Sequence, residues 1–206
     1  MPSNRKTVNP VMRISKFLRK LLFKTAQGFR IFFYRMLSNA VLKGESPILR
    51  QPLQAVGRGV IEFEERVSIG FFPSPCFFSS YAYLDARNQS SKISIGHDTS
   101  INNGFVAIAE HSHIKIGARV LIGTNVEIID SDFHGINLLD RNKSKPEWAK
   151  PVEVGDDVFL GSNVRICKGV TIGAGSVVAN GSIVIQDIPA GVVAAGNPAI
   201  VLRTIS

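Results

Sequence analysis

The stretch VGDDVF-LGSNVR-ICKGVT-IGAGSV-VANGSI-VIQDIP-AGVVAA, residues 154–195, divides into seven consecutive units of six residues. Every unit opens on an aliphatic residue, the second position is often Gly, and the fifth is Val, Ser, Ile or Ala. A period of six is neither the 3.6 of an amphipathic helix nor the 2 of an alternating strand. It fits a solenoid with three flat faces per coil, each face a short strand and a tight turn. One aliphatic side chain per face then points inward and stacks on those above and below. The fifth residue is small because it also points in, toward a corner. Glycine after the aliphatic residue suits unusual backbone angles or tight packing of the turns. The unbroken run of units argues against a sandwich of short strands with glycine turns.

The same unit recurs upstream as IGHDTS-INNGFV (95–106) and IGARVL-IGTNVE (116–127). FEERVS (63–68), followed by Ile69 and Gly70, reads as a first, degenerate coil. Two stretches leave the pattern: FFPSPCFFSSYAYLDARNQSS (71–91) and SDFHGINLLDRNKSKPEWAKP (131–151). The chain has 206 residues, 45% of them hydrophobic and 19% charged, which suits one globular domain with an appendage. Two cysteines, Cys76 and Cys167, make no disulfide framework and read as structural thiols in a reducing compartment.

The formal charge of +8 is unevenly placed. Residues 1–43 hold ten Lys and Arg and no acid, leaving 14 basic and 16 acidic residues in the rest. A near-neutral body without an RNP, zinc-finger or helix-turn-helix signature implies no nucleic-acid partner. Within the basic segment, Ile14, Phe17, Leu18, Leu21, Leu22, Phe29, Phe32, Phe33, Met36, Leu37 and Val41 recur at helical spacing, as one amphipathic helix or as two divided at Gly28. Charges interrupt every long apolar run, so the segment neither spans a bilayer nor reads as a signal peptide. Basic and large apolar residues together suit a helix lying on an anionic membrane surface; packing against the body or another subunit is the alternative. Residues 1–45 are thus expected to form a helical arm, with 46–206 forming the solenoid. A cytoplasmic location is expected, peripheral to the inner face of the membrane.

The hexads, together with the end QDIPAGVVAAGNPAIVLRTI (186–205), resemble the hexapeptide-repeat acyltransferases, in the branch of the sugar O-acetyltransferases that act on maltose, galactosides and cell-surface polysaccharides. The resemblance covers about residues 60–205. It implies a left-handed parallel β-helix, although parallel crossovers are normally right-handed. It also implies a homotrimer with acetyl-CoA lying in a groove between subunits, and a histidine where the central coil gives way to a loop. His134 stands at that place. An imidazole titrating near neutrality can take the proton of a sugar hydroxyl as it attacks a thioester, then return it to the leaving thiolate.

Asp132 is expected to orient the ring, with Asp130 as the alternative. Asn102 and Asn103 both match the family's Asn that helps hold the acceptor or the coenzyme near the histidine, and Asn103 is preferred. By the same resemblance Ser162, Asn180, Gly181, Gly196 and Arg203 contact the coenzyme, and Phe159 walls the acceptor pocket. Relatives often have Thr-Lys where this chain has Ile185-Gln186, so the cation that would meet the coenzyme's phosphates is absent there, and Arg203, Arg165 and Lys168 are the candidates to replace it. Cys167 follows an inward aliphatic residue and is read as structural. His97, His111 and His113 lack a zinc-ligand spacing, so no metal is expected. The implied activity is acetyl transfer to a sugar hydroxyl of a capsule, exopolysaccharide or O-antigen precursor, lipid-linked acceptors included. N-acylation of an amino sugar or amino acid, or an inactive scaffold, are the alternatives.

Overall fold

The computed structural model describes residues 10–205; Arg5 and Lys6 of the basic arm lie outside the described residues. Helix α1 runs Pro10–Met36 without interruption. Gly28 makes no break, and a side chain there would meet nothing within 4 Å. After the helix the chain winds into a prism of three parallel sheets. The first face holds Val41–Gly44, Val60–Phe63, Lys92–Ile95, His113–Ile116, Val152–Val154 and Thr171–Ile172. The second holds Ile48–Leu49, Ser68–Ile69, Ser100–Ile101, Leu121–Ile122, Phe159–Leu160, Val177–Val178 and Val192–Gly196, closed by the antiparallel strand Ala199–Thr204. The third holds Leu53–Gly57, Ala82–Ala86, Val106–Ala109, Glu127–Ile129, Arg165–Ile166 and Ile183–Val184. The chain visits the faces in rotation, giving a left-handed parallel β-helix.

The first position is the inward one in the hexads up to Val184; in the seventh unit Ala190 is exposed and Val192 and Ala194 point inward instead, because the chain there turns into the closing antiparallel pair. On the second face Ile69, Ile101, Ile122, Leu160, Val178 and Ala194 stand in register, all buried. On the first face Ile95, Ile116, Val154 and Ile172 do the same, and the longer strands there add a second inward row, Ile61, Ile93, Ile114 and Val152, two residues earlier. Each such aliphatic side chain removed from water is worth about 1.5–3 kcal/mol, and no other feature is repeated so often along the axis. The second-position glycines from Gly96 to Gly173 answer to close approach rather than to backbone angle. A Cβ on Gly123 would stand 2.6 Å from Ser162 N, and one on Gly161 would stand 2.6 Å from Asn180 N. Positive φ falls instead on the fourth position, as at Asn125 (56°) and Asn163 (60°). Asn tolerates that conformation better than most residues.

Two boundaries differ from the sequence reading, while the second excursion keeps the end read for it. Val41–Gly44 pairs with Val60–Phe63, so a full coil over 41–57 precedes the one containing Phe63. Its first two strands, Val41–Gly44 and Ile48–Leu49, lie at the open end and are largely exposed, so no inward periodicity is imposed on them, whereas Leu53–Gly57 turns Leu53 and Ala55 inward. Ala82–Ala86 is a third-face strand, which confines the first excursion to 71–81. The second excursion ends at Val152, which already pairs with Ile114.

Truncation of a mid-stack side chain should expose how far stability rests on the stack. Ile114→Ala is expected to lower the unfolding free energy by about 2–5 kcal/mol in urea titration, because a rigid coil on either side cannot close the cavity.

Candidate active site

The second excursion leaves the third face after Ile129 and rejoins the first face at Val152. Its exit is fixed by Asp130, fully buried, whose carboxylate accepts the backbone N–H groups of Glu110 (2.7 Å), His111 (3.2 Å) and Ser112 (2.7 Å) from the coil below. Asp130 is therefore occupied with the scaffold and does not reach the histidine ring.

His134 is presented by a tight turn. Its N–H donates to Asp132 O at 2.7 Å, across Phe133 at φ 60°. An i to i+2 bond with positive φ at a bulky central residue is a strained γ-turn, which needs outside support. The support is present: Phe133 N–H donates to Ser131 Oγ at 3.1 Å, and the Arg87 guanidinium lies 5.0 Å from the Phe133 ring centre. Lys168, from the next coil, donates to the Asp132 carboxylate and to Trp148 O (2.8 Å), joining the two ends of the excursion. Ser144 ties its middle to the buried Glu110 at 2.8 Å. Gly135 is required because a Cβ would stand 2.4 Å from Asp140 Cβ and 2.8 Å from Trp148.

His134 Nδ1 lies 2.7 Å from Arg141 O. A carbonyl oxygen only accepts, so Nδ1 carries the proton and the exposed Nε2 is left with its lone pair. The expected orienting carboxylate is thus replaced by a main-chain carbonyl. Asp132 is sequence-adjacent, but its side chain is turned to Lys168.

Asn103 also departs from expectation. It is fully buried; its Oδ1 accepts Phe71 N–H at 3.1 Å, and its Nδ2 donates to Phe71 O and Pro75 O at 3.0 and 2.8 Å. It shapes the first excursion and presents nothing to an acceptor. Asn102 instead lines a cleft of about 460 Å³ on the second face, with Arg50, Ser68, Phe71, Ser100, Leu121 and Phe159. Phe159 thus does wall a pocket, in company that the sequence did not single out. Its signal was the outward row Ser68, Ser100, Leu121, Phe159, Val177, set by strand pairing.

Ser162, Asn180 and Gly181 come together on the corner between the second and third faces. Thr124 N–H donates to Ser162 Oγ at 3.2 Å, and Ser162 N–H to Asn180 Oδ1 at 2.7 Å. Gly196 N–H reaches Ser182 Oγ at 3.2 Å one coil on. Arg203 pairs with Val193 and continues the outward row past Val177. His134 lies on the other side of the third face, at its corner with the first. One chain therefore does not bring His134 beside Asn102, Ser162 or Asn180.

Arg165 faces Glu127 at 3.3 Å, and Lys168 is committed to the loop. Cys167 is partly buried, and burial, followed by the neighbouring Asp132 and Glu127 charges, pushes its thiol above the ordinary range. A thiolate nucleophile is not favoured there. His97 pairs with Asp98, His111 with Asn88 and His113 with Glu153. Among the described residues no three His, Cys, Asp or Glu side chains converge.

With this geometry in view, the comparisons with known proteins are specific. The model of the hexapeptide repeat of succinyl-transferase matches residues 151–186. The Saccharomyces cerevisiae protein YJL218W, which carries an acetyltransferase name, is 40% identical over 136 residues, 66% of this chain and 64% of that protein. The galactoside O-acetyltransferase of Escherichia coli is 38% identical over 119 residues, 58% of this chain and 57% of that one. The chain thus spans less than two thirds of the length of these curated relatives. A hexapeptide-repeat acetyltransferase of Vibrio cholerae, solved with acetyl coenzyme A, aligns over 100% of this chain and 93% of its own, with TM-score 0.54 and 26% identity.

Removing the loop clamp should leave the coil standing. In Lys168→Met the Asp132 carboxylate and Trp148 carbonyl lose their donor. Tryptic cleavage within 131–151 is expected to quicken about ten-fold, the lower end for a charged hydrogen bond at a partly exposed site, while the global unfolding midpoint stays nearly unchanged.

Proposed function

We infer that this chain, which belongs to the hexapeptide-repeat acyltransferase family, transfers an acetyl group from acetyl-CoA to a sugar hydroxyl. The observation that carries the reading is the Nδ1–H of His134 held on Arg141 O, which leaves Nε2 free as a base on an exposed, strapped loop. Support for the donor comes from the acetyl-CoA-bound relative, and support for the acceptor from the galactoside O-acetyltransferase.

The chemistry is direct transfer. Nε2 accepts the proton of the acceptor hydroxyl as its oxygen attacks the thioester carbonyl carbon. The new C–O bond forms, the C–S bond breaks, and the proton passes from the imidazolium to the departing sulfur. The thioester supplies the activated acyl group, and no covalent enzyme intermediate is needed. Ser162, Asn180, Gly181 and Gly196, with Arg203 as the cation, are the residues that would hold the donor.

His134 and these residues occupy different corners of one prism, so the reading requires a second copy to complete the site, and a homotrimer supplies three such junctions. The tip of the His134 loop supports this. Ile136, Leu138 and Leu139 are 84, 77 and 87% exposed, an apolar end that a neighbouring copy would cover. The cleft with Arg50, Asn102 and Phe159 is assigned to the acceptor. Its class extends to lipid-linked precursors of cell-surface polysaccharide, acylated on the cytoplasmic side.

The test is release of free thiol from acetyl-CoA against a panel of sugars and amino sugars. His134→Ala should lose about 10²–10⁴-fold in turnover while keeping its fold. Equal activities of variant and parent would remove His134 from the mechanism, and turnover confined to amines would replace O-acylation by N-acylation. Light scattering should give three times the 22.4 kDa chain mass. Cys167→Ala should retain turnover, since its thiol is disfavoured as a thiolate.

A further inference from the structure

Helix α1 has two apolar sides. One docks on the prism. Phe23 stacks on Phe77 with ring centres 5.6 Å apart, and Tyr34 meets Tyr81 at 4.4 Å. Gln27 donates to Arg50 O at 2.8 Å, and the Arg30 guanidinium forks to Phe77 O (3.1 Å) and Ser80 O (2.6 Å). At about 100° per residue, positions 23, 27, 30 and 34 share one side of the helix. Leu18, Leu21, Leu22, Phe29, Phe32 and Met36 fall on the other side, and all are exposed, Phe29 and Met36 by 69 and 70%. A helix that only packed on its own body would need one apolar side.

We propose that this outward stripe seats the protein on an anionic membrane surface, with the helix lying in the plane of the headgroups. The choice of a membrane follows from charge. Residues 1–43 carry ten basic side chains and no acid, and the exposed Lys24 and Arg35 flank the stripe. That combination suits an acidic lipid interface. No helix among the described residues is long and apolar enough to cross a membrane, so attachment is peripheral. The inference is independent of acyl transfer, because α1 holds none of the residues assigned to chemistry.

The experiment is flotation of the full chain with vesicles of phosphatidylcholine alone or mixed with phosphatidylglycerol. The parent should float with the anionic vesicles, and release as salt shortens the Debye length from about 10 Å to about 3 Å. Lys24→Gln/Arg35→Gln should weaken partitioning about 10- to 30-fold, at about five-fold per charge. Leu22→Asn/Phe29→Asn/Met36→Asn, which leaves the docked side intact, should abolish flotation with unchanged thermal unfolding and molar mass. Equal partitioning onto neutral vesicles, or undiminished flotation of the triple variant, would overturn the proposal. So would a fall in molar mass of the triple variant in vesicle-free solution, which would make the stripe a contact between copies of the chain.

Discussion

Everything in this molecule is set by how closely one coil lies on the next. Parallel strands pair at about 4.8 Å, and at the corners that spacing brings turn backbone against turn backbone. No Cβ fits at Gly123 or Gly161, and the turns are closed by residues at positive φ. The polar side chains of the corners then become rungs of ladders. Ser162 and Asn180 each accept a turn N–H from the preceding coil. At the corner between the first and second faces, Arg66 grips Asp98 and Arg119 grips Asp157 through paired hydrogen bonds. The Arg66 guanidinium, with His97 assisting, holds the Asp98 carboxyl far below the usual carboxylate range. A side chain at a corner thus has a structural duty before it has any chemical one.

That constraint explains why the solenoid was legible and where legibility stopped. Between about Ile95 and Val184, outside the second excursion, each period of six reports an inward direction, because a side chain there has nowhere else to go. The coil over 41–57 is at the end of the stack. Val41–Gly44 is exposed along its whole length and is free of the pattern. The helix was legible from its spacing, but Gly28 was not a break: a single glycine costs only about 1 kcal/mol of helix propensity, less than the docking contacts on both sides of it return.

The site was legible in part, and the division follows from chemistry. An isolated imidazole in a loop that departs from a rigid coil stands out in a sequence. Its partner does not, because the partner is the carbonyl of Arg141, and a main-chain acceptor has no residue type. Asp132 was attractive through proximity in sequence, yet it is paired with a lysine 36 residues away that only the coil register brings near. Asp130 and Asn103 have the right functional groups, but burial commits both to backbone. The outward row of the second face, which makes the cleft, alternates with the core row and so was hidden behind the stronger inward signal.

The two excursions are not independent of the rest. Asn103 and Gln51, both fully buried, pin the first excursion from below: Asn103 holds Phe71 and Pro75, and Gln51 donates to Cys76 O and Ser80 Oγ. Arg30 of the helix grips the same loop from above, at Phe77 O and Ser80 O. Phe71 is also a wall of the cleft, and Arg50, whose carbonyl accepts from Gln27, is another. The helix and the cleft therefore share a short, hydrogen-bonded body with no hinge between them. Any surface that binds the outer side of α1 must hold the mouth of the cleft at a fixed attitude to itself. For an acceptor presented from that surface, the orientation would be settled by the scaffold before binding begins.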